Sequence, residues 1–329
     1  MTIPIKVAVI GVGSMGENHA RVYAYCEKTQ LVAVADSNKE QAEKIAKKFN
    51  VRAYSDYKEM LEKEKLDAVS IVVPTSLHKE VAVYVFKKGV NVLLEKPIAQ
   101  TEEEAKEIIE CAKENKVKLM IGHIERFNPA IIELKKKLEQ KDLGEIYKID
   151  VQRIGPFPHR ISDVGVIIDL SVHDLDIIDY LINSLPSRIY AETQQKLHPH
   201  HEDSVTALLS YQNGTLAVLN INYLSPTKTR VLKIFGEKGM FKVDYLNQEL
   251  YFYENKSFVE NHWNSVTEGD MKKINVEKKE PLQIEIESFL NHISENTSPL
   301  VGGEQGLNVL NIARMLIKSA TEKKIIELN

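Results

Sequence analysis

The chain has 329 residues, 43% of them hydrophobic and 27% charged, with a formal net charge of −4. That is ordinary usage for a folded globular chain, long enough for two domains of about 100–200 residues each. No Lys/Arg stripe offers a surface for a phosphate backbone, and no apolar run approaches the roughly 20 residues of a bilayer span. Neither nucleic acid nor a membrane is therefore an expected partner.

The first 122 residues alternate strand and helix. Ile5–Ile10 is an apolar run of the kind covered on both faces, and it begins so early that no leader peptide is expected before it. A glycine-rich turn and a helix to about Lys28 follow, then a strand at Leu31–Ala35 and a helix over Asn38–Phe49. Ala68–Val73 and Asn91–Leu94 read as further strands. Thr101 with Glu104 forms a capping box that opens another helix, and Lys118–Ile121 closes the series. Strands separated by helices of 10–15 residues predict a parallel sheet with right-handed crossovers.

From about Tyr147 the pattern changes. Ile146–Ile154, Arg188–Thr193, Ser204–Tyr211, Thr215–Leu224, Val231–Phe235, Met240–Tyr245 and Glu249–Tyr253 read as strands joined by short turns. Asn213-Gly214 predicts a type I′ hairpin between two of them. One helix, Asp169–Ile182, interrupts this series, 255–279 is a polar excursion, and helices start at Pro281 and Gly306. The expected architecture is an α/β amino-terminal Rossmann domain over 1–122 and an α+β carboxyl-terminal domain over 123–329 with an open, mainly antiparallel sheet.

The two cysteines, Cys26 and Cys111, fall in helical patterns without metal or disulfide spacing, and read as buried thiols of a reducing, cytoplasmic compartment. The tract Leu197-His198-Pro199-His200-His201-Glu202-Asp203 lacks a second ligand group at a recognised spacing, so a solvated loop is expected and no metal site.

Gly11-Val12-Gly13-Ser14-Met15-Gly16 follows a strand and opens a helix, and Asp36 lies 20 residues past Gly16 at the end of the second strand. Strand, glycines, helix, strand and acid in that register are a dinucleotide fingerprint. Gly11 permits the turn, Gly13 lets a pyrophosphate approach the backbone, and Gly16 lets the helix pack on the strand. The helix start, with Ser14 and Met15, offers N–H groups and a positive dipole end to the phosphates. A carboxylate at Asp36 accepts from ribose hydroxyls and repels a 2′-phosphate, and Ser37 and Asn38 beside it are neutral. NAD is expected, with NADP as the alternative.

Pro74-Thr75-Ser76-Leu77-His78 follows the Ala68 strand, Glu95-Lys96-Pro97 follows the Asn91 strand, and Asp169-x-x-x-His173 opens the lone helix of the second half. Together with the glycine loop these motifs resemble the glucose–fructose oxidoreductase/inositol dehydrogenase/MocA family over essentially the whole chain. The resemblance implies Lys96, Asp169 and His173 as catalytic residues, with Pro74, Thr75, His78, Glu95 and Lys96 lining the cofactor. It also motivates a cis Lys96–Pro97 peptide.

The residues suit those roles. Lys96 lies beyond the carboxyl end of a parallel strand, where open α/β sheets bind ligands. Asp169 and His173 stand one helical turn apart, and a histidine suits removal of an alcohol proton as hydride leaves carbon. Taken alone, such a pair is an ordinary solvated helix surface and Lys-Pro an ordinary turn; coincidence with the fingerprint raises both.

Gly122-His123-Ile124-Glu125-Arg126-Phe127-Asn128-Pro129 and Arg153-Ile154-Gly155-Pro156-Phe157-Pro158-His159-Arg160 resemble the branch of UDP-N-acetylglucosamine 3-dehydrogenases. A nucleotide sugar carries a diphosphate, which guanidinium forks grip well, so Arg126, Asn128, Arg153 and Arg160 are candidate substrate residues. The expected activity is oxidation of a secondary sugar hydroxyl, the 3-hydroxyl of a UDP-sugar foremost. The alternatives are a free-polyol dehydrogenase of the inositol type and a non-catalytic dinucleotide sensor. A sensor has no chemical need for all three of Lys96, Asp169 and His173. One sheet face without helices implies a homodimer or homotetramer.

Overall fold

The computed structural model describes residues 4–158, 164–256 and 268–328. They fall into two compact units, Met1–Ile124 with Glu280–Leu310, and Glu125–Lys279 with Asn311–Asn329. Among the described residues no helix is long and apolar enough to cross a membrane.

In the first unit, β1 (Ile5–Ile10), β2 (Thr29–Ala35), β3 (Arg52–Tyr54), β4 (Ala68–Ile71), β5 (Asn91–Glu95) and β6 (Leu119–Gly122) form a parallel sheet in the order β3-β2-β1-β4-β5-β6. Its connecting helices are α1 (Ser14–Tyr25), α2 (Lys39–Phe49), α3 (Tyr57–Lys63), α4 (His78–Lys87) and α5 (Glu102–Glu114). Strand order reverses between β1 and β4, which opens a crevice at their carboxyl ends. Side chains close several helix starts: Asn38 accepts from Gln41, Asp56 from Lys58 and Thr101 from Glu104. The Lys96–Pro97 peptide is cis.

The chain returns to this unit late. In it lie α8 (Pro281–Ser294) and the first turns of α9 (Gly303–Glu322). The Ile121 N–H donates to the Val301 carbonyl at 2.9 Å. A Cβ at Gly303 would meet Ile109 at 2.5 Å, and one at Gly306 would meet Ile121 at 2.9 Å, so the helix lies tight on the domain.

In the second unit, α6 (Pro129–Glu139) and α7 (Val172–Ile182) accompany β7 (Ile146–Ile154), β8 (Pro186–Gln194), β9 (Ser204–Tyr211), β10 (Leu216–Asn222), β11 (Thr229–Gly236), β12 (Gly239–Asp244), β13 (Glu249–Glu254), β14 (Met271–Ile274) and β15 (Ile326–Glu327). These nine strands run in the order β14-β13-β12-β11-β7-β10-β9-β8-β15. Only β7 and β10 pair in parallel. Ile149, Val151 and Arg153 of β7 alternate into the core, while Tyr190, Leu208 and Leu216 stand exposed on the opposite face.

The hairpin at Asn213-Gly214 forms by a different turn from the one expected. Gly214 has φ +86° while Asn213 is not at positive φ. The Gly214 N–H donates to Tyr211 and the Tyr211 N–H to Thr215. A three-residue loop ending in a left-handed glycine therefore closes it, not a two-residue type I′ turn. Cys111 is buried, but Cys26 follows α1 and is half-exposed, which corrects the expectation of two buried helical thiols.

Candidate active site

The glycine loop is shaped for a pyrophosphate. Gly11 has φ +85°, and a Cβ there would lie 2.6 Å from the Val72 carbonyl oxygen; one at Gly16 would lie 1.9 Å from the Gly11 oxygen. Gly13 has open space where a side chain would project. It caps α1 without a side-chain hydrogen bond, so the helix start around Ser14 and Met15 keeps its donors for a ligand.

Asp36 sits half-buried just after β2. Its Oδ2 accepts the Val12 N–H at 2.8 Å and its Oδ1 the Asn38 N–H at 2.9 Å, while Ser37 is exposed beside it. The carboxylate is thus tied to the glycine loop at the carboxyl end of β2. Pro74 and Thr75 open a short 3₁₀ turn after β4, with Pro74 exposed and Thr75 half-buried.

His78 departs from the expectation of a cofactor contact. Its ring is buried, with Nδ1 2.9 Å from the Pro97 carbonyl and Nε2 3.0 Å from the Val73 carbonyl. Burial holds this imidazole below its usual pKa despite both carbonyls. It ties the Pro74 turn to the Lys96–Pro97 turn instead of facing a ligand.

Asp169 lies in a single π turn, Ile167–Ser171, that runs into α7, and His173 is the second residue of that helix; both are half-buried. Such π insertions are frequent at functional sites. The Tyr223 hydroxyl donates to Asp169 Oδ2 at 2.5 Å. The Val166 N–H donates to the Glu202 carbonyl and the Ile167 N–H to Glu202 Oε1, so Glu202 closes the start of the turn.

The histidine tract is a buttress for this turn. Burial would raise the Asp203 carboxyl, but the Leu197, His198 and Lys196 N–H groups it accepts hold it below the usual range. His198 Nδ1 accepts from the His200 and His201 N–H groups. Phe157 packs edge-on against both His198 and Tyr223. Among the described residues no cluster of His, Cys, Asp or Glu has the arrangement to hold a metal.

The structure corrects the reading of the arginines. Arg126 is 4% exposed and forks onto Asp176 through Nε and Nη2 at 2.8 and 2.7 Å, stacked over Tyr180. Arg153 is 2% exposed; Nε and Nη2 bind Asp174 at 2.5 and 3.1 Å, and Nη1 binds Glu125 at 3.0 Å. Asn128 is buried too, capping α6 at Ala130 and donating to the Tyr245 carbonyl. These donors are already spent on the protein. Arg160 lies outside the described residues.

Sequence reasoning passed over Asp174, Asp176, Tyr223, Arg230 and His19. Arg230 pairs across the sheet with Arg153, sits 3.6 Å from Glu125, and keeps 29% of its side chain exposed. Burial and the neighbouring Arg153 charge lower its pKa. The signal for the buried pair was Arg153 at a core-facing step of β7. An arginine there demands a buried acid, and two stand nearby in the apolar α7.

The glycine cradle and the acid after β2 define a dinucleotide-binding oxidoreductase fold joined to a mixed-sheet unit. The chain belongs to the Gfo/Idh/MocA oxidoreductase family. Residues 5–123 match its NAD-binding Rossmann fold and residues 135–328 its carboxyl-terminal alpha/beta domain. It is 34% identical over 320 residues to a UDP-N-acetylglucosamine 3-dehydrogenase of Acidithiobacillus ferrooxidans, covering 97% of this chain and 98% of that protein. A crystal form of that enzyme superimposes with a TM-score of 0.86 at 33% identity, covering 98% of this chain and 99% of that one. The scyllo-inositol 2-dehydrogenase (NAD(+)) of Bacillus subtilis is 29% identical, over 74% of this chain and 75% of its own length.

Proposed function

We propose that the protein is a cytoplasmic, NAD-dependent dehydrogenase that oxidises the 3-hydroxyl of UDP-N-acetylglucosamine or a closely related UDP-sugar. The full-length 34% identity to a UDP-N-acetylglucosamine 3-dehydrogenase, with Lys96, Asp169 and His173 in place, carries this reading. NAD, when bound, takes up the hydride that leaves the sugar carbon. Gly11, Gly13, Ser14, Met15 and Gly16 hold its pyrophosphate, and Asp36 selects the unphosphorylated ribose. Ser37, Pro74, Thr75 and Glu95 belong to the same lining.

His173 removes the hydroxyl proton as the C–H bond breaks, which leaves a ketone. Lys96 donates to the reacting oxygen, and Asp169, held by Tyr223, orients the hydroxyl or the imidazole. With Arg126 and Arg153 committed to Asp176 and Asp174, the diphosphate is assigned to Arg160 and to the partly exposed Arg230. The exposed Tyr190, Leu208 and Leu216 support assembly into a homodimer or homotetramer through that sheet face.

The test is calorimetric titration of the NAD-loaded protein with UDP, then with myo-inositol. Saturable binding of UDP supports the proposal. Binding of the polyol with none of UDP would replace it with an inositol-type dehydrogenase.

A further inference from the structure

A hydrogen-bonded chain of buried side chains runs through the first unit and ends at the catalytic lysine's own turn. The Tyr23 hydroxyl lies 2.9 Å from Ser70 Oγ, and Ser70 Oγ lies 2.9 Å from His19 Nδ1. His19 Nε2 is 3.1 Å from Glu95 Oε1, and Glu95 Oε2 accepts the Lys96 backbone N–H at 3.2 Å. Tyr23, Ser70 and His19 are completely buried. A Cβ on Gly122, the partner of Glu95 across β5 and β6, would stand 3.3 Å from the Glu95 carboxyl carbon, so glycine leaves the room in which that carboxylate sits.

One assignment of protons uses every hydrogen once. The Glu95 carboxylate accepts from His19 Nε2–H and from the Lys96 N–H. His19 Nδ1 then accepts from the Ser70 hydroxyl, and Ser70 Oγ accepts from the Tyr23 hydroxyl. Burial, with the charge of Glu285 on α8 adding to it, keeps the Tyr23 proton in place. Burial alone would push the Glu95 carboxyl up, but His19 and the Lys96 ammonium hold it below the ordinary range. Both ends of the chain are therefore defined, a fixed donor at Tyr23 and an anion at Glu95.

We infer that Tyr23, Ser70 and His19 are positioning residues for the reaction, acting through Glu95, whose carboxylate accepts the Lys96 N–H, to hold the turn from which the Lys96 side chain starts. His19 and Tyr23 lie on α1, the helix whose start bears the glycine loop, so one helix serves both the dinucleotide and the lysine. The inference rests on Lys96 being catalytic.

The test is steady-state hydride transfer by variants that leave Lys96 in place, with whichever of UDP-N-acetylglucosamine and myo-inositol reduces NAD in the wild type. A tenfold change in rate is about 1.4 kcal/mol, the size of one buried hydrogen bond. Ser70→Ala and His19→Gln should lower kcat about tenfold with KM for the sugar and for NAD within twofold of wild type, and Ser70→Thr, which restores the hydroxyl, should turn over as the wild type does. A kcat within twofold of wild type in folded Ser70→Ala overturns the inference, as does a loss in Ser70→Ala that Ser70→Thr does not recover, even if His19→Gln fails to fold. Wild-type turnover in Lys96→Met would instead remove the catalytic reading of Lys96.

Discussion

Replacing Arg153 with leucine deletes three hydrogen bonds from a guanidinium that is 2% exposed. It leaves Asp174 buried without that partner, and Glu125 with Arg230 at 3.6 Å. Stranding one member of a buried ion pair costs about 3–5 kcal/mol, which is roughly 10 °C in Tm for a unit of this size. The loss should depend on pH. Burial pushes the Asp174 carboxyl above the ordinary carboxylate value, and Arg153 opposes that rise. The folded state thus holds this proton more tightly than the unfolded chain, so the group's contribution to stability falls as pH rises through the raised value. Without Arg153 the value climbs further, and the variant's deficit is smallest at acidic pH and largest at neutral pH and above. Urea unfolding at about pH 5 and about pH 8, with KM for UDP-N-acetylglucosamine measured in parallel, checks this. Wild-type stability with a KM raised about tenfold would refute the argument and return Arg153 to the substrate.

Lys96→Met and His173→Ala should each lower turnover by about 10²–10⁴-fold while NAD still binds by calorimetry; near-wild-type turnover in either removes that residue from the chemistry. NAD should bind more tightly than NADP, and Asp36→Ala should narrow the gap; equal affinities in the wild type would mean the acid does not face the ribose. Tyr223→Phe removes the hydroxyl that Asp169 accepts. It should cut kcat about tenfold while lowering unfolding free energy by only ~1 kcal/mol, and an unchanged kcat would sever Tyr223 from the role given it here.

Local rules reached the first unit well because its signals are local. Apolar runs of parallel strands, the Thr101 cap and the glycine loop all work over a few residues, and each lies where its pattern places it. The short β3 and α3 and the strand β14 were not legible, being brief and polar and held by neighbours distant in sequence. The return of Glu280–Leu310 to the first unit was hidden for the same reason. Motif spacing pointed to Lys96, Asp169 and His173 as candidates, but not to their neighbours, such as Tyr223 on Asp169. Arg126 and Arg153 read as ligand forks because their acids, Asp176 and Asp174, stand 50 and 21 residues away. His19 had a local trace: it falls with Gly16, Ala20 and Tyr23 on the buried side of α1, a place where a histidine needs partners.

Hydride transfer itself is the most direct test. Purified protein is mixed with NAD and, in separate runs, UDP-N-acetylglucosamine, its galacto epimer, free N-acetylglucosamine, myo-inositol and glucose, and absorbance at the reduced-nicotinamide band is followed. Reduction is expected with UDP-N-acetylglucosamine, with a far slower rate for the free sugar that lacks the anchoring diphosphate, and a 3-keto product. Reduction by inositol or glucose with none by either UDP-sugar would contradict this expectation.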